Sequence, residues 1–138
     1  MFLAAGSAVS AAFVAIFGKI GLQEVDPTLA TIIRGVVMAA LLVLAGLAFG
    51  KFEGFDPSAW SGKAWLFILL AAAAGALSWV LYFMALRAGP ASAVAVIDKM
   101  SVVIVILAAA AFLGESLTWK TALGTVLTVA GTLLFILK

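Results

Sequence analysis

The sequence predicts an all-α integral membrane protein built from five transmembrane helices. Three observations carry that prediction. The 138 residues are 67% hydrophobic and 10% charged, against roughly 45–50% and about 25% in an ordinary soluble domain. Five uninterrupted apolar runs each reach the roughly 17 to 25 residues that a helix needs to cross a hydrocarbon core of about 30 Å. The connections between them are short and carry helix-ending and helix-starting residues. A soluble helical protein would show a charged stripe on each helix, whereas these runs are apolar on nearly every face. A transmembrane β-barrel would need alternating segments of about ten residues, which are absent.

The first run spans Phe2 to Leu22. It has no Lys or Arg before Lys19, so the basic-then-apolar order of a cleavable secretory signal is missing and the run reads as mature sequence. Asp26-Pro27 then offers an N-cap followed by Pro at the first helical position, opening a second run from Leu29 to Phe49. The connection from Gly50 to Lys63 is the longest and the only one with room for structure of its own. Within it, Asp56-Pro57-Ser58-Ala59-Trp60 reads as the opening of a short helix, and Phe52, Phe55 and Trp60 beside Lys51 and Lys63 place it among the lipid headgroups. The third run, Ala64 to Ala85, ends before Gly89-Pro90, which closes one helix and begins the next. The fourth runs from Ala91 to Leu113, and Gly114-Glu115-Ser116-Leu117-Thr118 separates it from the fifth, Thr121 to Leu137. Trp65 and Trp119 sit where spans begin, as aromatic belt residues do.

Composition also removes functions. With no Cys and no His, thiol nucleophiles, zinc sites and His-dependent triads are excluded. No cofactor loop and no metal-ligand cluster appears, so the sequence predicts neither a cofactor nor an enzyme. The net charge is +2, and its charges are spread along the chain rather than gathered into a phosphate-binding face, which argues against nucleic acid as a partner. An odd number of spans puts the termini on opposite sides. Lys51, Lys63 and Lys120 then fall on one side and Lys19, Arg34, Arg87 and Lys138 on the other, four against three. So small a bias barely fixes orientation under the positive-inside rule. Insertion in both orientations and a single topology with a cytoplasmic C-terminus both remain open.

Ionisable groups at membrane depth face an interior, a partner or a watery cavity. Asp98 and Lys99 are neighbours a third to halfway along the fourth run. At about 100° per residue they point to different flanks, which argues against a simple face-to-face pair. Ser101 lies near the Asp98 flank and Ser92 on the Lys99 flank, so this helix has a polar wedge unsuited to lipid. Asp98 or Lys99 could exchange a proton or meet a charged substrate group; alternatively Asp98 pairs with a basic residue of another helix while Lys99 snorkels. Lys19 reads as a snorkelling residue and Arg87 as an interfacial anchor. Arg34, about 8 Å inside if its helix starts at Leu29, could pair with Glu24, Asp26 or Asp98, or meet substrate. On the third run Gly75, Ser78, Trp79 and Tyr82 share a face. Trp79 could there hold a flat or cationic ligand, or simply pack. The Ala71 to Ala76 stretch and the Gly124, Thr128 and Gly131 ridge read as helix-packing surfaces.

The stretch Tyr82-Phe83-Met84-Ala85-Leu86-Arg87-Ala88-Gly89-Pro90-Ala91-Ser92, followed by Leu113-Gly114-Glu115, Gly124 and Ala130-Gly131, resembles the signature half of EamA-type transporters of the drug/metabolite transporter superfamily. Lys19-Ile20-Gly21-Leu22 and Arg34 extend the likeness more loosely through the first half. The resemblance implies membership as one five-span domain over residues 1–138, half of an inverted-repeat ten-helix transporter completed by an antiparallel homodimer. It further implies membrane lipid and a small-molecule substrate as partners, an inner-membrane location in a prokaryote, and a substrate site between paired units near the bilayer midplane. Gly89, Pro90, Gly114 and Glu115 correspond to hallmark positions that shape helix ends. The small multidrug exporters of the superfamily use a Glu in their first span; this chain has none there, which argues against cation antiport by that mechanism. A non-transporting subunit that pairs with another five-span protein is the competing reading.

Overall fold

The computed structural model describes residues 1–137. Among these residues every regular element is helical: α1 (Phe2–Gly21), α2 (Pro27–Ala48), a 3-10 turn (Pro57–Ala59), α3 (Gly62–Ala88), α4 (Ala91–Asp98), α5 (Met100–Phe112) and α6 (Trp119–Ile136). Five helical segments are long and apolar enough to cross a membrane, with α4 and α5 forming one of them as Ala91–Phe112. The chain divides into two compact units, one from Phe17 to Arg87 and one comprising Met1–Ile16 with the chain from Ala88 onward. Lys138, counted in the charge comparison, lies outside the described residues.

Local chemistry sets the helix ends. The Asp26 side chain accepts from the Thr28 and Leu29 backbone N–H groups and Pro27 occupies the first turn, so α2 starts two residues earlier than its apolar run. The other end of α2 is a Schellman closure. Gly50 adopts φ 62°, Lys51 N–H bonds to the Gly46 carbonyl at 2.8 Å, and Gly50 N–H bonds to the Leu47 carbonyl at 3.1 Å. The helix α3 is 27 residues long, exceeding its apolar run at both ends. Ser61 Oγ accepts from Ala64 N–H at 3.2 Å at the start, and Pro90, with no N–H to continue the ladder, follows the end. Gly114 also adopts the left-handed region, at φ 69°, after α5.

The connection between α2 and α3 forms a chain of aromatic contacts. Phe52 meets Phe55 with ring centroids 6.3 Å apart, Phe55 meets Trp60 at 5.7 Å, and Trp60 meets Trp65 at 5.3 Å. Trp65 Nε1 donates to the Pro57 carbonyl at 3.2 Å. Asp56 caps the 3-10 turn as its sequence suggests: Ser58 N–H and Ser58 Oγ donate to Asp56 Oδ1 at 2.9 and 2.6 Å. These bonds favour the ionised form and hold its carboxyl below the usual carboxylate range.

In the Phe17–Arg87 unit, Leu22, Phe83 and Leu86 are buried. The third span meets Gly18 there: a Cβ at Gly18 would lie 3.3 Å from Phe83 Cζ and 3.5 Å from Leu86 Cδ1. A glycine lets the two helices approach this closely. In the other unit α6 packs along both α4 and α5, with Ala109 and Thr132 buried. The hydroxyls of Thr125, Thr128 and Thr132 donate to the carbonyls of Thr121, Gly124 and Thr128, so α6 satisfies its own polar groups. The packing-ridge expectation for Gly124 and Gly131 needs correction within this chain, because a Cβ at either would meet nothing within 4 Å. Thr132 makes the buried contact instead.

Candidate functional site

Among the described residues, ionisable side chains lie within the spans of both units. A first group joins α2 to α3. Arg34 Cζ sits 3.3 Å from the centroid of the Trp79 ring and 5.3 Å from that of Phe83. An edge-on approach at that separation would drive a guanidinium nitrogen into the indole, so the contact is a stack. Tyr82 flanks Trp79 edge to face at 6.3 Å, and Phe83 lies 6.2 Å from both Trp79 and Tyr82. Arg34 therefore does not pair with Glu24 or Asp26, and the Asp26 carboxylate is already used as the α2 cap. One face of Trp79, expected to be open to a cationic ligand, carries this chain's own cation. Ser78 is exposed beside Trp79 on α3, and a Cβ at Gly75 would meet nothing within 4 Å.

Basic residues tie the helix ends of the same unit. Lys19 Nζ donates to the Leu86 carbonyl at 2.6 Å and to the Arg87 carbonyl at 3.5 Å. These are terminal carbonyls of α3, where a cation also offsets the negative end of the helix dipole. Arg87 Nη1 donates to the Val25 carbonyl at 2.7 Å, just before α2 begins. Lys19 is thus a clasp between α1 and α3 rather than a snorkelling side chain, and Arg87 adds a second clasp to its place at the helix end. The ends of α1 and α3 and the start of α2 are thereby fixed below the Arg34 stack.

The second group lies where the fourth span is interrupted. Lys99 N–H bonds to the Val96 carbonyl at 3.1 Å and Val102 N–H to the Lys99 carbonyl at 3.0 Å, three-residue turns that separate α4 from α5. Lys99 Nζ reaches Asp98 Oδ2 at 3.7 Å. Adjacent positions point to different flanks, which argued against a face-to-face pair, but the four-carbon Lys stem spans that angle and the two charges meet. Ser101 lies on the Asp98 flank as expected, its Oγ donating to the Asp98 carbonyl at 2.7 Å. The Asp98 and Lys99 side chains remain 40% and 59% exposed, so the chain itself leaves this ion pair uncovered.

The structure thus brings Arg34 onto Trp79, whose ring Tyr82 flanks, and Asp98 together with Lys99 and Ser101. Sequence reasoning did not single out Phe83, the buried ring that backs the Arg34 stack. Its signal was present: Phe83 follows Trp79 by four residues and so shares its helix face.

The sequence profile of the EamA-like transporter family matches residues 1–137. A relative from Sinorhizobium sp, described as an uncharacterized transporter in the cobO 3' region, is 39% identical over 128 residues, covering 93% of this chain and 89% of the relative. No solved structure matches the chain.

Proposed function

The chain belongs to the EamA-like transporter family, and we propose that this membrane transporter exports or exchanges small organic metabolites or drugs by alternating access, as an antiparallel homodimer in a prokaryotic inner membrane. The observation that carries the proposal is the uncovered Asp98–Lys99 pair at the interruption of the fourth span. An ionic pair about 10 Å along a 22-residue membrane segment is costly against lipid, and ionisable residues at membrane depth mark substrate and ion pathways. A second copy, inverted, covers the pair and supplies the other half of a cavity. In this reading Asp98, Lys99 and Ser101 couple transport to an ion or proton, and Arg34, Ser78, Trp79 and Tyr82 serve the substrate.

Uptake of radiolabelled amino acids and carboxylic acids into everted membrane vesicles under an imposed pH gradient tests the coupling. Asp98→Asn keeps the shape and removes the titrating charge, so gradient-driven flux is expected to collapse while the protein still folds. Undiminished coupled flux in a folded Asp98→Asn protein would refute the coupling role. Reporters fused to the C-terminus test the assembly: signal on both sides of the membrane is expected, and signal on one side alone removes the antiparallel homodimer.

A further inference from the structure

We infer that the Arg34 stack is an oxyanion receptor, and that the substrate class is an organic carboxylate carrying an apolar or aromatic body. The inference deepens the transporter reading and rests on it. Arg34 lies seven residues beyond Pro27 and Trp79 nine before Ala88, which puts both about 10–13 Å inside their spans. A guanidinium stays charged there, so it needs compensation. Stacking on Trp79 at 3.3 Å, with Phe83 at 5.3 Å, uses the flat face of the cation and leaves its N–H edges outside the contact. Among the described residues those edges meet no carboxylate; the ion pair present there joins Lys99 to Asp98. Among the described residues no buried side-chain nitrogen lacks a hydrogen-bond partner, so the unbonded Arg34 nitrogens are accessible to an incoming group.

A planar fork of N–H donors, held rigid by stacking, matches a carboxylate in bidentate geometry. The fixed positive charge also repels a cation from the ring face that would otherwise attract one. Beside the fork, Tyr82 and Trp79 offer aromatic surface to the rest of the ligand. A lipid phosphate shares the oxyanion chemistry, but Lys19 and Arg87 occupy the helix ends at this face, and Arg34 lies deeper than they do. The carboxylate of a transported solute is the occupant that fits that depth.

The test uses the purified full chain in phosphatidylcholine nanodiscs, with benzoate as probe and benzamide and benzylammonium as its neutral and cationic counterparts. Benzoate alone is expected to raise the apparent melting temperature, since a ligand of the folded state must do so. Arg34→Lys keeps the charge without the fork and is expected to weaken benzoate binding by roughly 10- to 100-fold. Equal responses to the three probes, or none to benzoate, would overturn the assignment even if the Arg34 variant failed to fold. An Arg34-dependent shift caused by phosphatidylglycerol, with none from benzoate, would identify a lipid headgroup site and overturn it likewise. Binding is read here without transport. Lost benzoate selectivity with Asp98-dependent flux intact therefore removes the substrate class alone, whereas benzoate selectivity without any flux removes the transport reading.

Discussion

At the scale of single residues, the basic side chains of this protein divide by what their charge meets. Lys19 and Arg87 spend theirs on backbone carbonyls: Lys19 at the C-terminal end of α3, where the helix dipole assists, and Arg87 at Val25, just before α2. Arg34 has an aromatic face instead. That difference is measurable. In a double-mutant cycle of Arg34→Gln and Trp79→Leu, read by thermal unfolding, the coupling is expected at about 0.5–2 kcal/mol, the range of cation–π contacts from exposed to desolvated. A coupling near zero would mean that the stack contributes nothing to the fold. Lys19→Met retains the apolar stem and removes the donor, and is expected to cost about 1 kcal/mol by leaving the Leu86 carbonyl without its charged partner.

At the scale of elements, close approach and capping decide how the helices meet. The third span reaches Gly18 so closely that a Cβ there would crowd Phe83 at 3.3 Å. Gly18→Leu is therefore expected to destabilise the protein by about 1–3 kcal/mol, whereas Gly75→Leu, placed where a Cβ meets nothing within the chain, is expected to leave the isolated protomer's stability nearly unchanged. Thermal unfolding of the two variants side by side checks the contrast. The connection before α3 gives a pH prediction. The Asp56 carboxyl is held below its ordinary value by the Ser58 donors, so the order it lends the 3-10 turn is fully present above the unfolded value of about 3.9. That order is lost as pH falls through the lower folded value. Emission from Trp60 and Trp65, whose tilted rings meet beside this turn, is expected to change in that acid range, and Asp56→Asn is expected to abolish the transition.

At the scale of the whole molecule, the outstanding quantity is charge balance across the membrane. Lys51, Lys63 and Lys120 oppose Lys19, Arg34, Arg87 and Lys138, so orientation rests on a difference of one residue. Two additional Lys residues in the connection from Gly50 to Lys63 are expected to draw that loop to the cytoplasm and convert a mixed population into one orientation, as read by C-terminal reporters. A wild-type chain that already shows one orientation would remove the proposed antiparallel homodimer.

The number of spans and the chemistry of the helix caps are written in short stretches of the chain. Those properties are local: run length is set by bilayer thickness, and Asp26, Asp56 and Gly50 act within a few residues of where they stand. The resemblance at Tyr82 to Ser92 likewise carried the family, because a motif is a local pattern. What each charge does depends instead on contacts between residues far apart in the chain. Lys19 reaches a carbonyl 67 residues away, Arg34 finds its ring on another helix, and the fourth span tightens to three-residue turns at Lys99 with no Pro or Gly to announce it. The physical reason is that a membrane helix is apolar around its whole circumference. Hydropathy, which tells a soluble helix's inner face from its outer one, does not say which side of such a helix meets a neighbour. Small residues mark where helices can approach, but Gly18 is packed while Gly75, Gly124 and Gly131 are open, and the shape of the opposing side chain alone separates the two cases.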